Sequence, residues 1–304
     1  MVDDTIRTVE VPPEQIPVLE ADPQVAGVLR RGATVGPAMA ASVPLVGAPA
    51  LWSGGARGAG RVIAVIDTGV TPSFGGTLVG QACFAATQVT GSSELIGHCG
   101  PDGDEERAFS ETCLELGVCD AGDPSFVFDP AAGRPCPSPP SGQPAKCAHG
   151  SGVAAVAARH TAPPGVAPDA GVYAIQVFDP QGTAADLVDV FLALDHVVQL
   201  VDAGMDVAAV NLSLGTSELF STACDSVRTV DIDGPAFASV IGQLRARGVA
   251  TAIATGNSGF DGKVAFPACV SAGVAVGATD LHDQIAPFSN TNAAVHPADH
   301  PERH

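Results

Sequence analysis

The run Val62-Ile63-Ala64-Val65-Ile66, which stops at Asp67-Thr68-Gly69, restricts the fold more than any other stretch of the chain. A short, continuous apolar run rich in β-branched residues predicts a strand covered on both faces, as in a parallel sheet. A carboxylate at the carboxyl end of such a strand is costly unless something pairs with it or uses it. Those strand ends are also where open α/β sheets place their ligands. Taken alone, Asp67 reads more simply as a turn former. The rest of the chain changes that balance.

Downstream, helical and extended patterns alternate. His149–His160 (HGSGVAAVAARH) reads as a helix of small residues and Gly171–Phe178 as a strand. Thr183–Ala203 is amphipathic, with Leu187, Val190, Phe191, Leu194, Val197, Val198 and Val201 on one face. Asp206–Leu214 is a strand ending in NLSLG, and Pro235–Arg247 is a helix with proline in its first turn. Gly248–Thr255 is a strand leading to Gly256-Asn257-Ser258-Gly259, and Val270–Ala278 is a last strand. Strands separated by helices predict a three-layer α/β fold on a parallel sheet. Before this region, Val9–Val28 is weakly periodic and supplies at most a strand or two and a short helix. Leu45–Leu51 reads as a short helix feeding a glycine loop at 53–60. Residues 71–148 lack a sustained period and read as a long insertion pinned by Cys83, Cys99, Cys113, Cys119, Cys136 and Cys147.

A chain of 304 residues, 46% of them hydrophobic, can build one large domain with an ample core. The net charge of −19 leaves no basic patch for phosphates, which excludes nucleic acid as a partner and favours a solubility role for the carboxylates. Those carboxylates could hold calcium, but no Asp-rich loop with EF-hand spacing identifies a site, so no metal or other cofactor is assigned. No apolar run reaches membrane-spanning length, so no membrane association is expected. The start, MVDDTIRTVEVPPEQ, has neither the basic nor the apolar region of a signal peptide. Eight cysteines, without C-x2-C pairs, nevertheless predict disulfides and an extracellular setting rather than zinc. The two signs conflict, and a natural start upstream of Met1 would reconcile them. Six clustered cysteines allow about 15 pairings, and the sequence chooses none.

Asp67, His149 and Asn257 all fall at or beside predicted strand ends. An imidazole moves protons near neutral pH. A buried carboxylate fixes its tautomer, and a side-chain amide can donate to a developing oxyanion. With these contexts assembled, the chain resembles the subtilisin-like serine proteases. VIDTGV at 65–70 resembles the family's aspartate motif and HGSGVAAV at 149–156 its histidine motif, although Gly152 stands where a second histidine is common. GVAPDAGVYAIQVF at 165–178 is similar to the segment that follows, and NLSLG at 211–215 to the wall of the substrate cleft. ATGNSG at 254–259 resembles the oxyanion motif, and FPACVSAGVAVGATD at 266–280 its usual continuation. Residues 15–31 weakly resemble the end of an inhibitory propeptide.

The resemblance implies a serine endopeptidase acting as a monomer on peptide or protein substrates by acyl-enzyme chemistry. In it Asp67 orients, His149 is the general base, and Asn257 is the oxyanion donor. Ser213, Leu214 and Gly215 pair with the substrate backbone. It divides the chain into a propeptide-like remnant or extension (1–40), a peptidase domain (41–295, incomplete, carrying the insertion at 71–148) and a polar tail (296–304). The nucleophile motif, Gly-Thr-Ser-Met-(Ala/Ser)-x-Pro-His at the start of a buried helix, has no match. Gly215-Thr216-Ser217 precedes Asn257, continues the cleft-wall motif and is followed by Glu218-Leu219-Phe220, so it reads as a decoy. The chain is therefore expected to be an inactive fragment whose sheet leaves an apolar face uncovered, with a non-catalytic peptide-binding pseudoprotease as the alternative. Two other readings fail on the residues. The triplet Asp67-Thr68-Gly69 has no second copy to make an aspartic-protease pair. The glycines at 55–60 precede a strand, whereas phosphate loops follow one.

Overall fold

The computed structural model describes residues 39–88, 95–101, 105, 107–119, 127–136 and 146–292. The expectations for Val9–Val28, the propeptide-like segment and the polar tail lie outside these residues. Two short helices come first, α1 (Met39–Leu45) and α2 (Ala48–Ser53). The single helix expected around 45–51 is divided at Gly47, whose φ of 77° ends one helix and caps the next.

The central strand β1 (Val62–Asp67) forms as expected and ends on its carboxylate. Then come β2 (Thr77–Phe84), β3 (Ala86–Gln88), β4 (Leu95–Gly97), β5 (Arg107–Phe109), α3 (Thr112–Glu115) and β6 (Val127–Phe128). Regular alternation follows with α4 (His149–Ala158), β7 (Gly171–Gln176), α5 (Leu187–Asp202), β8 (Val207–Leu212) and β9 (Leu219–Phe220). The last elements are α6 (Gly234–Ala246), β10 (Ala250–Ala254), β11 (Val264–Ala265) and β12 (Val274–Val276). Asp186 caps α5 by accepting from the Val188 amide, and Asp233 caps α6 by accepting from the Ala236 amide.

The main sheet has the order β12-β10-β8-β1-β7-β2-β5-β6. Its first six strands are parallel, while β5 joins β2 antiparallel, so the sheet is mixed at one edge rather than wholly parallel. Successive strands depart to opposite sides of β1, which makes its carboxyl end the crevice of the sheet. Residues 71–148 are also more regular than expected, because β2 belongs to the main sheet. Its period is broken at Gly80, where the register against β7 shifts between Leu78 and Gly80. A side chain at Gly80 would enter the ring of Tyr173. The bulge hides the strand's alternation from a sequence reading.

All eight cysteines are paired, each with its neighbour in sequence: Cys83–Cys99, Cys113–Cys119, Cys136–Cys147 and Cys224–Cys269. One face of the sheet carries Ala64, Ile66, Tyr173, Ile175, Val210, Leu212 and Ile253, all inaccessible to solvent beneath the α5 and α6 layer. On the other face, α4 covers Val65, Val172 and Ala174. Beyond it Ala252 and Ala254 are partly exposed, and Val274 and Val276 at the β12 edge are half-exposed.

Candidate active site

The last residue of β1 and the first of α4 meet. Nδ1 of His149 lies 2.8 Å from Asp67 Oδ1 and 3.0 Å from Oδ2. Asp67 is fully buried, whereas the His149 side chain is about half-exposed. The carboxylate also accepts a hydrogen bond from the Thr68 amide at 2.7 Å. Its hydrogen bond to the ring raises the imidazole pKa from the ordinary value of 6.5, against the desolvation that lowers it. With Nδ1 engaged, Nε2 is the nitrogen left to accept a proton.

Glycine is required behind the histidine. A Cβ at Gly150 would stand 2.5 Å from the Gly69 carbonyl oxygen and 3.0 Å from Cβ of Asp67. The His-Gly pair is thus what lets α4 start this close to β1. Gly152, by contrast, faces open space.

A second group of residues surrounds a cleft of about 250 Å3 lined by Ser213, Leu214, Gly215, Ala254, Asn257 and Asn290, among others. The NLSLG and ATGNSG segments therefore line one cleft. Asp67 and His149 are not in its lining, but register ties the two groups. Ile66 pairs with Leu212 across β1 and β8, so Asp67 and Ser213 each follow at the same end of adjacent strands. Asn257 is exposed on a loop that opens after Gly256, whose φ is 107°. Thr216 and Ser217 also line the cleft, in a loop where Thr216 donates its amide to the Phe266 carbonyl. Among the described residues no serine or threonine hydroxyl bonds His149.

Two residues escaped the sequence reading. Asn290 fixes the Asn257 loop, accepting from the amides of Ser258 and Phe260 at 3.1 and 3.0 Å and donating to the Thr255 carbonyl at 3.1 Å. Thr68 joins the start of α4 to the turn after β1, its Oγ1 accepting from the Gly150 amide at 3.0 Å. The segment PFSNTN around Asn290 was plain in the sequence. Its role was not, because the partners lie 30 and 32 residues away. Among the described residues no group of three or more His, Cys, Asp or Glu side chains is placed to hold a metal ion, and no helix is long and apolar enough to cross a membrane.

A buried carboxylate bonded to a half-exposed imidazole at the end of a central parallel strand is an arrangement that can hold one tautomer of the ring and leave its other nitrogen free to take a proton. The sequence profile of the subtilase family (peptidase S8) matches residues 58–302, and the chain belongs to that family. It is 28% identical over 294 residues to alkaline proteases of Alkalihalobacillus alcalophilus and Shouchella clausii, a match covering 95% of this chain and 58% of theirs. A minor extracellular protease of Bacillus subtilis is 31% identical over 131 residues, 43% of this chain and 17% of that protein. Among solved structures, sphericase aligns with a TM-score of 0.46 at 20% identity, over 77% of this chain and 59% of its own. A cold-adapted subtilisin-like serine proteinase aligns at 0.45 and 22%, over 77% and 60%. The chain thus spans somewhat over half the length of the curated alkaline proteases it matches.

Proposed function

We propose that these residues form the proton-relay and substrate-binding parts of an extracellular serine endopeptidase. His149 takes the proton of a serine hydroxyl through Nε2 and returns it to the leaving amine. Asp67 holds the ring's tautomer through Nδ1 and stabilises the imidazolium. Asn257 donates to the oxyanion, and the backbone of Ser213–Gly215 pairs with an extended substrate. The observation that carries the reading is the 2.8 Å bond between buried Asp67 and His149.

The nucleophile comes from a segment outside these 304 residues, on a helix that lies over the part of the sheet α4 leaves open. Two features support this. No described hydroxyl engages His149, and on the open face β10 presents the partly exposed Ala252 and Ala254 beside half-exposed Val274 and Val276 of β12, an apolar surface that a helix could cover. Without that segment the chain is inactive, since in subtilisin, a member of the same family, losing the serine costs roughly 10⁶ in turnover.

The test compares two proteins, the 304-residue chain and a chain extended by translating the source DNA past the His304 codon, both assayed on a chromogenic peptide amide. Cleavage only by the extended chain, lost about 10⁴-fold in its Asp67→Asn variant, is the expected result. Cleavage by the 304-residue chain alone would overturn the assignment of the nucleophile. Peptide binding without cleavage in the extended chain would favour a non-catalytic binding module.

A further inference from the structure

We propose that the Cys136–Cys147 disulfide and the Thr68 hydroxyl act together as a clamp that holds His149 against Asp67. This rests on the reading of Asp67 and His149 as the proton relay, and it concerns what positions that pair.

The first amides of a helix have no partner within it, and α4 is no exception. Ala148, at its cap position, has no side chain that can supply one. The acceptor comes instead from 82 residues away, where Thr68 Oγ1 takes the Gly150 amide at 3.0 Å. The same hydroxyl donates to the Cys147 carbonyl at 3.3 Å. On the other side of Thr68, its carbonyl accepts from the Cys136 amide at 3.3 Å. The two cysteines are bonded to each other, with Cα atoms 5.1 Å apart.

Three links therefore converge on one residue, the one directly after Asp67. The Thr68 amide itself donates to the carboxylate at 2.7 Å. Cys147 lies two positions before His149, so the disulfide and the hydroxyl anchor both the approach to α4 and its first turn. Thr68, Cys136 and Cys147 are all buried. Gly182 packs against the bridge, where a Cβ would stand 2.7 Å from Cys136 Sγ. His149, half-exposed, has the Asp67 bond as its side-chain anchor. Among the described residues, neither Cys113–Cys119, which spans α3 and its exit, nor Cys224–Cys269, which joins the segments after β9 and β11, makes a hydrogen bond to Asp67, Thr68 or His149.

The experiment uses the full 304-residue chain and reads His149 by proton NMR titration and by its low-field Nδ1–H signal, with the resonance assigned from a His149→Gln variant. The double variant Cys136→Ala/Cys147→Ala should lower the His149 midpoint by about half a unit or more, towards the free imidazole value, and weaken the low-field signal. Thr68→Val should do the same with every disulfide intact, and Thr68→Ser should restore the native midpoint. The control Cys113→Ala/Cys119→Ala should leave His149 unmoved. An unchanged midpoint in both the double variant and Thr68→Val overturns the clamp, as does an equal shift in the control. If the double variant does not fold, Thr68→Val against Thr68→Ser decides alone. No step depends on turnover, so failure of the clamp and failure of the protease reading are separate results.

Discussion

The two faces of the central sheet are built from the same strands yet differ in how they are finished. On the closed face Ile253 is 0% exposed, in the core beneath the helices. On the open face Val276, one strand further out, is 49% exposed. Strand residues alternate between faces, so adjacent positions in one short segment live in unlike environments. Stability and chemistry are thus drawn from different sides. The closed face supplies the core. The strand ends beside the open face are where Asp67 and His149 meet.

The contrast can be broken most severely by acid. His196 on α5 is buried among Phe84, Phe109 and Tyr173, and it bonds the Tyr173 hydroxyl at 2.9 Å. Burial pushes its pKa down to about 3 from 6.5. Between those values the unfolded chain binds a proton that the folded chain refuses, so stability falls as pH falls through that window. The loss over the whole window is on the order of 5 kcal/mol. Buried His98, pushed to about 4 mainly by desolvation, adds in the same direction. His149 acts oppositely: its stabilisation is full below 6.5 and lost as pH rises through its raised folded value. Urea midpoints from pH 7 to pH 4 should fall steeply, and His196→Gln should flatten the slope. A parallel slope in that variant would remove His196 from the explanation.

Truncating one side chain on each face sharpens the comparison. Ile253→Ala should cost about 3 kcal/mol, because it empties a closed core site. Val276→Ala should cost less than about 0.5 kcal/mol in this chain, as exposed substitutions do. Thermal or urea unfolding reads both. In a chain extended over the open face the second figure should rise, and an unchanged value there would mean that nothing packs on Val276.

One substitution on the closed face should instead give a gain. Thr251 sits on the closed face opposite Val210, and its buried hydroxyl has no hydrogen-bond partner. Thr251→Val keeps the shape and removes an unpaired polar group, so stability should rise by about 1 kcal/mol in the same unfolding assay. Loss of stability instead would show that the hydroxyl is satisfied in solution.

Much of this was legible in the sequence, for reasons particular residues explain. The apolar run at 62–66 announced a central strand because every side chain in it is covered or nearly so. Alternation after His149 announced the layers, and Asp67 and His149 could be matched because local motifs carry them. β2 was missed because Gly80 interrupts its period to make room for Tyr173, a residue far along the chain. Thr68 and Asn290 were missed for a related reason. Each is an ordinary polar residue until the fold brings its partners from 82, 30 or 32 positions away. Long-range hydrogen bonds leave no local pattern.

The order of the disulfides has a consequence for how the molecule is made. Eight thiols can be joined in about 105 ways. Here every bridge joins a cysteine to the next one along the chain. A polypeptide that enters an oxidising compartment from its N-terminus exposes its thiols in that same sequence. The first cysteine of each pair then waits only for the next to follow it, and the native set of bridges is the set that order of arrival favours.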